Sequence, residues 1–383
     1  MTHFNNNNFK LFVWFLTMLL ADAEANAADE WLDLGTLNNG TSSSAWGISA
    51  NGSVVVGQGG DGLLGDAVSA FRWTAAGGMI SLGRLNNGDE AIAGAVNAAG
   101  DVVVGTANDG AAGNVSRAYR WTQATGMVSL GTLNNGFLSD ANGVNAAGDV
   151  VVGMSYDGAD NNAARAYRWT QVTGMVNLGT FNNGAFSSAQ GTNAAGDVVI
   201  GYSADGSLGN ASRAFRWTQT TGLVSLETLN GGDSSFAFAT NMVGDVVVGK
   251  SEDGSVGGFD RAFRWTQPTG LVSLGTLHGG FYSEALGVDG TGDVVVGRSF
   301  DGSQGADRAF RWTSATGMQS IEEWLSAAGV SVIGLSTSVA EATNADGSIV
   351  VGTLTNNHAF LARVSVFGSG IVIHLTSAKV LLV

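Results

Sequence analysis

The feature that most constrains the fold is a repeat of about 48 residues that runs through almost the whole chain. An Arg-Trp pair recurs at steps of 48 and finally 47 residues, together with a Val-Val-Val-Gly segment and a Leu-Gly-Thr-Leu-Asn-Asn-Gly segment. A period of this length is typical of β-propeller blades and of HEAT-type helical repeats. The Arg-Trp pairs begin at Arg72, Arg120, Arg168, Arg216, Arg264 and Arg311.

Each repeat contains four short segments typical of β-strands. In the third repeat they are residues 141–145, 149–155, 165–170 and 175–181. They are rich in β-branched and aromatic residues, and glycine-bearing turns separate them. Ten or more residues at helical spacing occur in none of the regular repeats, which argues against HEAT and armadillo folds. The sequence therefore predicts an all-β fold of four-stranded antiparallel blades. A parallel β-helix is the alternative, but its coils need about half this period and the two halves of the repeat differ.

The two ends of the repeat region complement each other. The segment from Trp31 to Leu37 matches a fourth strand, whereas residues 341–364 supply only a first, a second and a third strand. The first segment therefore completes the last blade, and a ring closed in this way has no free sheet edge. We predict a seven-bladed β-propeller closed by strands from both termini, with a helix inserted over residues 321–335.

The N-terminus is typical of a signal peptide. Lys10 precedes an apolar run from Leu11 to Ala21, and Ala25 and Ala27 form a small-x-small cleavage site. The run is too short to cross about 30 Å of hydrocarbon as a helix; a buried core helix is the alternative. We predict a signal peptide over residues 1–27, a propeller over 28–364 and an apolar tail over 365–383. The mature chain would then be secreted or on the cell surface, with no membrane span.

Composition excludes several classes of protein. The net charge is −15 with only three lysines, so no basic surface is left for nucleic acid or for an anionic membrane. The chain has no cysteine, which excludes disulfides and cysteine-based zinc sites. The 58 glycines are interpreted as turn residues, because Val, Phe and Trp recur on schedule between them.

Two repeated patterns are interpreted as structural. The tryptophans of the Arg-Trp pairs are predicted to pack between blades rather than to bind a ligand. Asp149 and Arg165, and the equivalent pairs in four other repeats, suggest ion pairs. Hairpin geometry instead places the two charges at opposite ends of a blade, roughly 15 Å apart, with the arginine beside the Asp-Gly loop. The tryptophans are Trp73, Trp121, Trp169, Trp217, Trp265 and Trp312.

Sequence motifs assign no catalytic, cofactor-binding or metal-binding residue. The four histidines, His3, His278, His358 and His374, have no metal-ligand spacing, and no known catalytic motif is present. The Asp-Gly loops at residues 156–162 and 252–260 carry oxygen ligands suited to Ca²⁺, but they lack the spacing of a defined calcium loop. Asp-Gly is more typical of a tight turn, so calcium stays an alternative.

The recurring elements resemble a known family. The segments "NAAGDVVVG", "RAFRWT", "GMVSLGTL" and "HAFLARV" together resemble the HAF family of probable extracellular repeats of Gram-negative bacteria, from Trp31 to Val364. The resemblance implies a secreted or surface protein similar to autotransporter passengers, and it supplies no catalytic residues. Only residues 365–383 follow the repeats, too few for an outer-membrane barrel of at least eight strands. The chain would thus be a passenger-like protein without a translocator, or a truncated relative.

Two function classes follow. The first is a non-catalytic, monomeric interaction or adhesion module that binds an unknown protein or glycan on its loop face. The alternative is a propeller hydrolase or lyase that acts on an extracellular glycan in the central channel. Convergent polar side chains from unlike residues in one pocket would favour the enzyme, whereas equivalent residues around the axis would favour a scaffold.

Overall fold

The computed structural model describes residues 29–365, which form seven four-stranded antiparallel sheets arranged as the blades of a propeller. In six blades the strand order follows the chain, and each strand forms a hairpin with the next. The innermost strands of neighbouring blades contact one another around the axis. The prediction of a seven-bladed propeller is confirmed.

The first six blades use consecutive strands. The first blade consists of β2 Ser43–Ile48, β3 Val55–Asp61, β4 Ala67–Thr74 and β5 Gly78–Ser81, and the second of β6 Ala91–Val96, β7 Val102–Asp109, β8 Val115–Thr122 and β9 Gly126–Ser129. The third blade consists of β10 Ser139–Val144, β11 Val150–Asp157, β12 Ala163–Thr170 and β13 Gly174–Asn177, and the fourth of β14 Ser187–Thr192, β15 Val198–Asp205, β16 Ala211–Thr218 and β17 Gly222–Ser225. The fifth blade consists of β18 Ser235–Thr240, β19 Val246–Asp253, β20 Phe259–Thr266 and β21 Gly270–Ser273, and the sixth of β22 Ser283–Val288, β23 Val295–Asp301, β24 Ala306–Thr313 and β25 Gly317–Ser320.

The seventh blade joins the two ends of the chain. Its strands are β26 (Thr337–Thr343), β27 (Ile349–Leu354), β28 (Ala359–Arg363) and β1 (Glu30–Asp33). Strand β1 pairs with β28 in antiparallel register, with Trp31 opposite Ala362 and Asp33 opposite Phe360. The predicted closure by both termini is therefore confirmed, and the outer strand of this blade comes from the opposite end of the sequence.

Predicted element bounds were too long at three places. The fourth strand of the third blade was expected to reach residue 181, but it ends at Asn177. Gly179 follows with φ of 85°, a left-handed conformation that ends the strand, and Gly35 (φ 71°) shortens β1 in the same way. The inserted helix α1 covers Ile321–Ala327, shorter than the predicted 321–335, and Ser320 and Glu323 form its capping box.

The hydrophobic core lies between the blades. The buried cluster around Trp169 takes Val102 and Val104 from the second blade and Tyr167 from the third. Trp169 is 8% exposed, and the equivalent tryptophans range from similarly buried to half-buried. The predicted packing role of these rings is thus confirmed.

The arginine before each repeated tryptophan joins one blade to the next. Nε of Arg168 donates to the carbonyl oxygen of Gly196 in the following blade, at 2.8 Å. The same bond occurs at 2.9 Å between Arg120 and Gly148. Such bonds satisfy both groups at a crowded interface, which explains why the Arg-Trp pair repeats.

The repeated Asp and Arg at the starts of strands two and three do not meet, as hairpin geometry predicts. Oδ1 of Asp149 accepts from Nδ2 of Asn145 in its own turn, at 2.8 Å. Arg165, at the other end of the blade, donates to the carbonyl of Ala185 and forms an ion pair with Asp160.

The predicted signal peptide and most of the apolar tail lie outside the described residues. Between residues 29 and 365, no helix has the length and apolar character needed to cross a bilayer.

Candidate functional site

A β-bulge interrupts the innermost strand of every blade at the same place. In β10, Ala141 pairs with Gly153 and Gly143 pairs with Val152, so Asn142 between them has no partner on β11. A bulged residue is free of the ladder, and bulges commonly redirect a side chain. Here the seven bulged residues line the central channel together.

The glycine that ends each Val-Val-Val-Gly segment makes room for the bulge. A Cβ atom added to Gly153 would lie 2.0 Å from the carbonyl oxygen of Asp140 on the bulged strand. The equivalent distances at Gly105 and Gly249 are 2.0 and 1.9 Å. No side chain fits at such distances, so the repeated glycine is the sequence signature of the bulge.

The seven bulged residues are all different, and we call them the bulge ring. The residue before each of them is alanine in every blade, and the residue after it is glycine or alanine. Within this three-residue segment, the variation is therefore confined to the one position that faces the channel. The bulge ring consists of Trp46, Gly94, Asn142, Gln190, Phe238, Leu286 and Glu341.

A second set of variable positions surrounds the same end of the channel as the bulge ring. We call this end of the channel the channel mouth. Two residues before the bulge ring, the innermost strand carries Ser44, Ile92, Asp140, Ser188, Phe236, Glu284 and Val339, which also vary. Their partners on the second strands are Gln58, Thr106, Met154, Tyr202, Lys250, Arg298 and Thr353. The side chains that break the repeat thus converge from separate blades.

The opposite end of the channel is narrowed by a ring of mostly small residues. Backbone N–H groups of one blade donate to carbonyl oxygens of the next, as from Ala194 to Met242 (3.0 Å) and from Ala345 to Ala50 (3.0 Å). Six of these seven positions donate in this way in the described part of the chain. We call them the base ring: Ala50, Ala98, Ala146, Ala194, Met242, Gly290 and Ala345.

The channel mouth encloses a cavity of about 330 Å³. All seven residues of the bulge ring line it, together with Ile92, Thr106 and Asp140. This volume falls at the lower end of the range for small-molecule sites, and the mixture of apolar walls with a few polar groups is typical of them.

Both basic side chains at the mouth are neutralised by the protein itself. Nζ of Lys250 lies 2.8 Å from Glu284 and 3.1 Å from Asp260. Nη2 of Arg298 lies 3.0 Å from the other oxygen of Glu284. Burial raises the pKa of Glu284, but Lys250 and Arg298 outweigh burial and hold this pKa below its ordinary value. Glu284 is therefore a carboxylate shared between two cations.

Two further carboxyl groups at the mouth have no such cation. Asp140 accepts a hydrogen bond from Oγ1 of Thr106 at 3.1 Å, and burial raises its pKa. Burial also raises the pKa of Glu341 to about 7; Glu284 adds to this rise, and Arg298 opposes it. Near neutral pH, Glu341 therefore changes between its neutral and charged forms.

Aromatic rings form the wall on the fourth and fifth blades. Tyr202 meets Phe236 edge to face with centroids 5.0 Å apart, and Phe236 stacks on Phe238 at 6.5 Å. Nζ of Lys250 lies 5.6 Å from the centre of the Phe236 ring. On the first blade, Trp46 is half-buried and faces the same cavity.

The residues singled out from the sequence lie away from this cavity. In the Asp-Gly loop at 156–162, Asp157 accepts from Asn134 (2.7 Å) and from the backbone of Ala159 (3.0 Å), so the carboxylate holds the turn together. Among residues 29–365, no three His, Cys, Asp or Glu side chains are grouped as metal ligands.

His278 occupies the position that asparagine, such as Asn134, has in the equivalent loops of other blades. It joins the sixth blade to helix α1. Its Nδ1 lies 2.9 Å from Asp301 and its Nε2 lies 3.0 Å from Glu323 of the helix. The hydrogen bond to Asp301 raises the pKa of His278 most, and the charges of both carboxylates add to it against burial. At the equivalent position the other loops have Asn38, Asn86, Asn134, Asn182 and Asn230, each bonded to an aspartate.

No sequence motif marks the channel mouth as a site. The sequence does contain a signal for these residues, because the repeats can be aligned by their glycines and tryptophans. In that alignment the position after the constant alanine differs in every repeat. What the alignment alone does not give is that these positions face one another across the axis.

Comparison with solved structures supports the fold. An oligogalacturonate lyase in complex with manganese is 13% identical with a TM-score of 0.57, over 89% of this chain and 94% of the lyase chain. TolB from Acinetobacter baumannii is 10% identical with a TM-score of 0.44, and the match spans 85% of this chain and 64% of that one. A putative TolB from Agrobacterium tumefaciens is 12% identical with a TM-score of 0.43, over 60% of this chain and 79% of that one. At 13% identity, the likeness to the lyase shows the fold alone.

No protein-family model and no curated protein matches the chain.

Proposed function

We propose that the protein is an exported, non-catalytic binding protein that takes a small ligand into the channel mouth. One observation carries this proposal. The repeats keep their packing residues nearly constant, yet all seven residues of the bulge ring differ and line one cavity. Packing needs the same residue in each blade, whereas an asymmetric ligand needs a different contact from each.

The composition of the bulge ring supports binding of a small molecule rather than a protein. Trp46 and Phe238 offer flat apolar faces, and Asn142 and Gln190 offer amide donors and acceptors. These groups are half-buried inside a cavity instead of standing on exposed loops. A protein partner would be recognised on an outer surface. The channel mouth therefore favours a small ligand over the loop-face ligand expected from the sequence.

A thermal-shift screen tests the proposal. The full chain is melted with panels of neutral sugars, organic cations, amino acids and carboxylates, each alongside the Trp46→Ala and Asn142→Leu variants. A compound that binds only the folded state at one hundred times its Kd stabilises it by about 2.7 kcal/mol. We expect such compounds to lose most of their effect in both variants.

Met242→Ala is the matched control, because it changes the base ring to the alanine found in other blades. It should leave every ligand effect intact. If each stabilising compound acts equally on wild type and on both channel variants, or if no compound stabilises the wild type, the ligand site is not the channel mouth.

Catalysis on a glycan is the second candidate, and one observation favours it. Glu341 has a pKa of about 7 inside the cavity, and a carboxyl group with such a pKa suits general acid–base chemistry at neutral pH. Incubation of the protein with polysaccharides, followed by assays for new reducing ends and unsaturated ends, separates the two candidates. Activity that disappears in Glu341→Gln would replace the binding proposal with an enzyme.

A further inference from the structure

The ligand class follows from which charges at the channel mouth are already paired. Resting on the binding function proposed above, we infer that the channel mouth binds a small organic cation, an amine or a quaternary ammonium group. Carboxyl groups without a basic partner and open aromatic faces meet there, while the two basic side chains face a carboxylate of the protein.

Anionic ligands find no free partner in this cavity. Lys250 and Arg298 share Glu284, and Lys250 also contacts Asp260. A carboxylate or phosphate ligand would have to break these ion pairs and would face Glu341 and Asp140 as well. The net charge of −15 acts in the same direction at longer range. The mouth thus discriminates against anions.

Cations find two carboxyl groups that lack a basic partner. Asp140 and Glu341 project from the third and the seventh blades into the same cavity. Trp46 stands on the first blade, between these two, and Gly94 on the second blade leaves the space beside it open. A positive group next to Trp46 would therefore have a carboxyl group on each side.

Aromatic faces complete the site for a cation. The protein already places Nζ of Lys250 over Phe236, at 5.6 Å from the ring centre, in the wall that continues to Phe238. Cation–π attraction of this kind is the usual means by which proteins recognise quaternary ammonium groups. The opposite wall offers the indole of Trp46, which is the strongest ring for this interaction.

Titration calorimetry with matched probes tests the inference on the full chain. Choline is compared with its neutral isostere 3,3-dimethylbutan-1-ol, and with glucose and galacturonate, at low salt and mildly alkaline pH. We expect choline to bind at least about tenfold more tightly than the isostere, since a desolvated cation–π contact and a carboxylate are together worth that much. Galacturonate should not bind.

Three variants locate the effect. Glu341→Gln, Trp46→Leu and, as a second aromatic variant, Phe238→Leu should each weaken choline binding by about tenfold. The Glu90→Gln variant is the control, because it removes the same charge from an exposed loop near the mouth. Melting curves verify that each variant is folded. If Trp46→Leu does not fold, Phe238→Leu serves as the aromatic variant in its place.

Proton release gives an independent readout. The charges that act on Glu341 are those of Arg298 and Glu284, and neither one changes near neutral pH. Asp140 faces the same cavity from the third blade, and burial raises its pKa as well. A bound cation favours the ionised form of Glu341, so affinity should rise as the pH increases through about 7. Binding just below this pH should release a proton, visible as a heat that depends on the buffer, and Glu341→Gln should abolish it.

The outcomes separate the two proposals. If the isostere or glucose binds as tightly as choline and Trp46→Leu still weakens binding, the cation inference is wrong and the ligand site stands. If no probe binds, or if binding is indifferent to all three variants, both the cation inference and the channel site are wrong.

Discussion

Two tryptophans of the same chain provide a direct test of the division between packing and binding. Trp169 is 8% exposed and packs between the second and third blades against Val102, Val104 and Tyr167. Trp46 is half-buried and faces the channel. The same substitution at the two sites should therefore have opposite consequences for stability and for ligand binding.

Trp169→Ala should destabilise the propeller by about 3–5 kcal/mol, because a buried ring is removed and the neighbouring blades cannot close the cavity. At about 2.1 cal/mol/K per residue, that loss corresponds to a decrease in melting temperature of about 4–7 °C for a domain of this size. Trp121→Ala should have a similar effect, since Trp121 is 7% exposed. Trp217→Ala should have a smaller one, since that ring is half-buried.

Trp46→Ala should lower the melting temperature much less, because solvent in the channel replaces the ring. Urea unfolding followed by circular dichroism gives the free energies, and the thermal shift of a bound ligand gives the binding effect. If Trp169→Ala melts like wild type, or if Trp46→Ala is as destabilising as Trp169→Ala, then the separation of packing rings from channel rings is wrong.

Three further predictions concern ring closure, pH and export. Deletion of residues 28–40 removes β1 and exposes the edge of β28, so it should lower the melting temperature and promote aggregation. Deletion of residues 370–382 should change either property little. Equal effects of the two deletions on melting and on light scattering would argue against closure. The His278→Asn variant restores the residue of the other loops. Because the pKa of His278 is raised in the folded state, the extra stability of the wild type should be fully present in acid and decline as the pH rises through that pKa. Melting curves across pH test this, and a pH-independent difference in stability would contradict it. N-terminal sequencing of exported material should begin near Ala28, and a soluble cytoplasmic pool that keeps Met1 would contradict the proposed export.

The sequence by itself determined the architecture. Its period set the size of the blade, and the unmatched segments at the two ends of the repeats predicted both the closure and the number of blades. These features are local or periodic, so they can be recognised in the sequence alone. Element bounds were less accurate, because single glycines at positive φ, such as Gly179, end strands that hydrophobic patterning would continue.

Only the tertiary structure decided where the site lies. Asn142 and Glu341 belong to different repeats far apart in the chain, and closure of the ring brings them to one cavity. The pairing of Lys250 with Glu284 across two blades, which removes a free cation from that cavity, is likewise a product of ring geometry. The sequence records that a position varies, but the direction of its side chain depends on a bulge, and its neighbours depend on how seven blades meet around an axis.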